Sequence, residues 1–144
     1  MSDVEFVVAG SDMNQGITFT SKLTANLFLN KDNLFNCPDG LAFDTAGNLW
    51  IQTDGNYKNE GDFSGMGNNQ MLVANTETGE IKRFLVGPKE CEVTGITWST
   101  DKTTLFVGIQ HPGERGNSHF PDGGNSVPRS SVIAIERDDG QAFG

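Results

Sequence analysis

No run of apolar residues in this sequence approaches the roughly 20 that a helix needs to cross a bilayer. No positively charged stretch followed by an apolar one marks a signal peptide. A piece of a longer protein would lack its parent's leader, so the compartment stays open on this ground. Cysteine is scarce: Cys37 and Cys91 permit one disulfide or two free thiols, too few for a disulfide scaffold or a structural zinc site. Positive charge is scarce too, with ten Lys and Arg against nineteen Asp and Glu and a net charge of −9. Such a surface repels nucleic acid and anionic membranes, so neither is expected as a partner. It also repels a phosphate ester, unless cations stand in between. The acidity serves either solubility or metal binding, and composition does not choose between them. There is no Gly-x-Ser-x-Gly elbow, because Ser64 lacks the flanking glycines, and no Walker loop. Gly65-Met66-Gly67 is too short a signal for a dinucleotide site.

What the chain does have is glycine, 18 residues in 144, with Asn and Asp gathered at turn positions. Hydrophobic residues make up 35%. This mixture suits many short strands joined by tight turns, in one domain with a modest core. Val4–Ala9 reads as a strand, and the polar stretch 11–24 as a loop holding a short extended piece. Residues 23–29 are weakly patterned, helical or extended. Strands follow at Gly40–Asp44, Leu49–Thr53, Gln70–Asn75 and Glu80–Val86, with turn residues between them and one long polar loop, Asp54–Asn69.

The pattern then recurs. Val93–Ser99 resembles the Gly40 strand and Thr104–Gln110 resembles the Leu49 strand; Gly40 matches Gly95 and Phe43 matches Trp98. A second long loop, His111–Arg129, precedes a strand at Ser131–Glu136, and no residues are left for a fourth. A four-stranded unit repeating every 40–55 residues or so is the mark of a β-propeller. The expected fold is therefore all-β, about two four-stranded antiparallel blades of a propeller. The blade units fall at about 36–87 and 91–140, with 1–35 as a leading strand and loop. Two blades do not close a ring, so the chain reads as a fragment. The alternative is a meander of two small sheets packed face to face.

In a propeller, the first strand of each blade lines the central channel. Aligning the repeats sets Cys37-Pro38-Asp39 against Glu92-Val93-Thr94. Residues two apart on a strand face one side, so Cys37, Asp39, Glu92 and Thr94 all become candidates for that axis. Hard cations such as calcium take carboxylate oxygens gathered from several segments. Glu92, flanked by strand-like residues, reads as a metal ligand; Asp39 reads equally as a ligand and as the turn residue of Pro-Asp-Gly. Asp54-Gly55-Asn56 opens a loose calcium-loop pattern that Lys58 breaks, and that loop is rejected. His111-Pro112-Gly113-Glu114 is either a metal- or phosphate-binding turn or a solvated one.

The strings Asn33–Gly55 (NLFNCPDGLAFDTAGNLWIQTDG), Gly87–Glu114 (GPKECEVTGITWSTDKTTLFVGIQHPGE) and Ser130–Gly140 (SSVIAIERDDG) resemble the C-terminal region of PhoX-type alkaline phosphatases. The resemblance spans residues 33–140 and is carried by long, specific motifs. It implies a six-bladed propeller several times longer than this chain, a phosphomonoester substrate, calcium and iron at the channel, and a periplasmic location. It implies Glu92 and then Asp39 as metal ligands of a centre whose other ligands lie elsewhere, so the chain alone is expected to be inactive. Calcium-dependent sugar-lactone hydrolases and non-catalytic propeller scaffolds are the alternatives, and metal content separates them. Blade edges without neighbours are expected to drive self-association, and Cys37 and Cys91 sit near equivalent points of the two repeats.

Overall fold

The computed structural model describes residues 5–9, 18–22, 32–55, 60–61 and 64–144. β1 (Glu5–Ala9) and β2 (Thr18–Lys22) pair antiparallel, with Glu5 opposite Lys22. β1 is the expected leading strand, and β2 is the extended piece within the polar stretch. The weakly patterned segment 23–29 lies outside the described residues.

Two further sheets carry the rest of the fold. β3 (Pro38–Phe43), β4 (Leu49–Thr53), β5 (Gln70–Ala74) and β6 (Ile81–Val86) form a four-stranded antiparallel meander. β7 (Glu92–Trp98), β8 (Thr104–Gln110) and β9 (Ser131–Glu136) form a three-stranded one. The expected hairpins are present in register, Leu41 opposite Ile51 and Trp98 opposite Leu105.

In the two larger sheets, the three tight turns are each closed by a short side chain that mimics the backbone. In β3–β4, Asp44 Oδ1 accepts from the backbone N–H groups of Ala46 (3.0 Å) and Asn48 (2.9 Å). Its Oδ2 accepts from Asn48 Nδ2 (2.9 Å) and Trp50 Nε1 (2.9 Å). Gly47, at φ +83°, supplies the left-handed residue that lets the chain return. In β7–β8, Asp101 accepts from the Ser99 hydroxyl (2.7 Å) and the Thr103 N–H (3.2 Å). In β5–β6, Asn75 Oδ1 accepts from the N–H groups of Glu77 (3.0 Å) and Thr78 (2.8 Å). The first strand of each of the two larger sheets also carries a bulge, between Pro38 and Leu41 in β3 and between Thr94 and Thr97 in β7. Bulges re-aim side chains and sharpen twist.

The two sheets meet over one core. Trp50 and Met71 from the four-stranded sheet pack with Cys91, Val93, Leu105, Val107 and Ile109 of the other, and Phe143 closes the cluster. Fully buried side chains such as Met71 and Leu105 stabilise the fold by about 1.5–3 kcal/mol each. The opposite face of the four-stranded sheet buries Ile51, Leu72, Ala74 and Ile81 under Phe35. Leu41 and Phe43 on edge strand β3 and Val132 on edge strand β9 stand exposed.

Phe143 lies beyond the last strand and still belongs to the core. Its N–H donates to the Lys102 carbonyl (2.9 Å), and its ring meets those of Trp50 (6.4 Å) and Phe84 (6.2 Å) edge-on. Both cysteines are free thiols, Cys37 exposed and Cys91 buried between the sheets.

Candidate metal centre

Three strand ends converge at the rim opposite the β3–β4 and β7–β8 turns. β4 ends at Thr53, and Asp54 follows it directly, its N–H donating to the Cys37 carbonyl (3.1 Å). β7 begins at Glu92, which pairs with Gln110 near the end of β8. His111 comes next, at φ +37°, its N–H donating to Ser130 Oγ (2.9 Å). This juxtaposition brings one donor atom each of Asp54, Glu92 and His111 within 4.8 Å of one another. Glu92 is buried, His111 half-buried and Asp54 exposed. His111 Nε2 lies 3.7 Å from Glu92 Oε2, an electrostatic contact longer than a hydrogen bond. His111 Nδ1 is buried without a hydrogen-bond partner.

Two carboxylates and one imidazole at this spacing fit a cation. The carboxylates suit a hard ion such as calcium, and the imidazole suits a transition ion such as iron. Three side chains are fewer than the six to eight oxygens calcium takes, so alone they would not complete a calcium shell.

The surrounding residues fix this rim. Asn69, buried just before β5, accepts from the Thr53 hydroxyl and the Gly55 N–H on either side of Asp54 and donates to the carbonyl of Cys91, the residue before Glu92. Glu90, at φ +59°, turns its carboxylate toward the stretch after His111. Its Oε2 accepts from the N–H groups of Arg115 (2.8 Å) and Asn117 (3.2 Å), and its Oε1 accepts from Asn117 Nδ2. The Asn117 side chain chiefly, with these backbone donors, holds the Glu90 carboxyl below the ordinary glutamate range. The Gly113 N–H donates to the Lys89 carbonyl (2.9 Å), so the segments flanking Glu92 and His111 are pinned together. Burial pushes the neighbouring Cys91 thiol up to about 12, which keeps it protonated and unreactive.

Of the residues singled out in the sequence, Glu92 lies in the cluster. Asp39 is exposed within the β3 bulge and outside the group of three. Cys37 contributes its carbonyl to the Asp54 turn, and Thr94 sits half-buried at the β7 bulge. Asp54 opens the calcium-loop pattern that Lys58 breaks, and His111 stands in the turn that reads either as metal- or phosphate-binding or as solvated. Their shared signal was position, since both directly follow the second strand of a repeat.

An all-β chain of paired antiparallel sheets with an acidic and imidazole cluster at one rim is the class the geometry defines. A model of the family "Alkaline phosphatase PhoX" matches residues 5–113, and the chain belongs to that family. It is similar to the solved structure "Pseudomonas fluorescens PhoX in complex with vanadate, a transition state analogue", at 66% identity and a TM-score of 0.73. The similarity covers 76% of this chain and 19% of that one, so the chain spans about a fifth of that relative's length. No curated protein matches it.

Proposed function

We propose that this chain supplies part of the metal centre of a phosphomonoesterase. Asp54, Glu92 and His111 are the ligands in this assignment. What carries it is their meeting at one rim in a chain that belongs to the PhoX family. Calcium and iron are the proposed ions, matching the carboxylate oxygens and the imidazole respectively. Bound cations would neutralise the ester's charge, activate an attacking oxygen and stabilise the leaving one. The chain's own part is to hold two carboxylates and an imidazole at fixed spacing, with Glu92 shielded from water and Asp54 open to it. Asp39, on neighbouring strand β3, is the further acidic candidate.

The two larger sheets are proposed to be blades, at about 36–87 and 91–140, of a six-bladed propeller whose remainder supplies the other ligands. Their repeated hairpin turns and first-strand bulges support this. The periplasm is the proposed compartment. The exposed Leu41, Phe43 and Val132 are proposed to drive self-association of the isolated chain.

The test is hydrolysis of a chromogenic phosphomonoester, with bound metals measured, by this chain alone and by a longer protein containing it. Metal-dependent turnover by the longer protein, with loss of both turnover and metal on Glu92→Gln, is expected. Full activity in Glu92→Gln would remove the ligand assignment; turnover by the chain alone would show that its site is complete.

A further inference from the structure

Asn69 sits at the foot of β5 and is 3% exposed. Its side-chain oxygen accepts from Thr53 Oγ1 (3.0 Å) and from the Gly55 N–H (2.8 Å). Its Nδ2 donates to the Cys91 carbonyl (2.8 Å) and, more weakly, to the Gly55 carbonyl (3.3 Å). One amide therefore grips the residue before Asp54, the residue after it and the residue before Glu92. The grip is itself anchored. Thr53 Oγ1 accepts from the Gln70 N–H (2.9 Å), and the Asn69 carbonyl accepts from the Gly87 N–H (2.9 Å).

We propose that Asn69 is a positioning residue whose amide sets the separation of Asp54 and Glu92, and through it the affinity of the site for a divalent cation. The inference rests on the reading of Asp54, Glu92 and His111 as a cation site. Only a primary amide offers two N–H donors and two acceptor lone pairs on so short a stem. A carboxylate in its place keeps the acceptor half but loses the bridge to Cys91. It also adds negative charge near the site, which taken alone would strengthen cation binding. Weaker binding in Asn69→Asp is thus the signature of lost geometry rather than altered charge.

Asn68 provides the control. Its Nδ2 donates to the carbonyls of Gly87 (2.8 Å) and Pro88 (2.7 Å), neither of which flanks a ligand, and its tie to Cys91 is to the thiol rather than to the backbone that leads into Glu92. Asn68→Asp makes the same charge change and loses the same number of carbonyl partners one residue away.

The experiment is Mn²⁺ titration followed by electron paramagnetic resonance on this chain, for the wild type, Asn69→Asp, Asn68→Asp and Glu92→Gln. Asn69→Asp and Glu92→Gln should each weaken binding by about tenfold or more, the scale of outer-shell losses. Asn68→Asp should stay within about twofold, because it holds no backbone group adjacent to a proposed ligand. Unchanged affinity in Asn69→Asp, or an equal loss in Asn68→Asp, overturns the proposal. A second measurement needs no metal: in Asn69→Ala, amide hydrogen exchange at Gly55 should accelerate while Val107 in β8 stays slow. Unchanged exchange at Gly55, or equal acceleration at both, overturns the bracing role. If the wild type takes up no Mn²⁺, or Glu92→Gln does not weaken uptake, the cation reading fails and the affinity half of the proposal falls with it. Gly55 exchange still decides whether Asn69 braces the rim.

Discussion

His111 and Glu92 face each other across the end of the β7–β8 hairpin, Nε2 to Oε2 at 3.7 Å, one residue beyond the last paired position of β8. That separation leaves room for an ion to draw both groups in, so metal should tighten this end of the hairpin.

The ligand assignment gives a direct comparison. Glu92→Gln keeps the shape of the side chain and removes a charged oxygen donor, so cation affinity should fall by about tenfold or more. Asp39→Asn, in the β3 bulge outside the cluster, should change it by less. Calorimetric titration with calcium or manganese checks both, and an equal loss in the two variants would bring Asp39 into the same shell.

Thiol chemistry should separate the two cysteines. Cys37 is exposed, whereas Cys91 is buried with its thiol pushed up to about 12. An aromatic disulfide reagent should titrate one thiol quickly in the native chain and the second only on unfolding. Because burial raises the folded-state value of Cys91 above its unfolded one, its contribution to stability is complete below about pH 8.5 and is lost as pH rises toward 12. Denaturant melts across that alkaline window check the sign.

Gly55 has no room for a side chain. A Cβ there would fall 1.6 Å from Asn36 Oδ1 and 2.9 Å from Cys37 Cβ. Gly55→Ala must push the turn after Asp54 outward, at a cost of about 1–3 kcal/mol by the usual scale of overpacking. Adding Asn36→Ala should restore part of that loss, since the nearer clash is with the asparagine tip. Urea unfolding of the single and double variants measures the recovery.

Acidification should loosen the stretch after His111 before the sheets melt. Hydrogen bonds from Asn117 and Arg115 hold Glu90 below the ordinary glutamate value, so the stabilisation it provides is present above about pH 4.3 and is lost as pH falls through its folded-state value. Hydrogen exchange at the Arg115 and Asn117 amides, corrected for intrinsic rates, should rise in that window ahead of exchange at Val107. Glu90→Gln should show the looser stretch already at neutral pH.

The hairpins were legible because their information is local. Leu49-Trp50-Ile51 and Leu105-Phe106-Val107 carry strand residues, and Asp44, Gly47, Asn75 and Asp101 carry turn chemistry within a few positions. The cluster was legible only in part. Glu92 stood out because an acid amid strand residues is unusual, while Asp54 and His111 look like ordinary turn residues until β4, β7 and β8 are placed side by side. Asn69 closed a long polar loop in the sequence, and nothing nearby announces four long-range hydrogen bonds. Phe143 carries no local signal for a similar reason: it follows the final turn and belongs to no strand, yet its partners Trp50 and Phe84 lie far back along the chain.

The aromatic contact of Trp50 with Phe143 and the acidic cluster lie toward opposite ends of the same strands. From Trp50 to Asp54 the chain advances roughly 13 Å at the usual strand rise. If the sheets pivot on the aromatic end as on a fulcrum, a tilt of about 4° over that length displaces Asp54 relative to Glu92 by about 1 Å. A shift of that size separates a formed coordination shell from a loose one. On that pivot the apolar packing at one end of the seam would set the tolerance of the polar end, and a ring remote from Asp54 and Glu92 would bear on how far apart they stand.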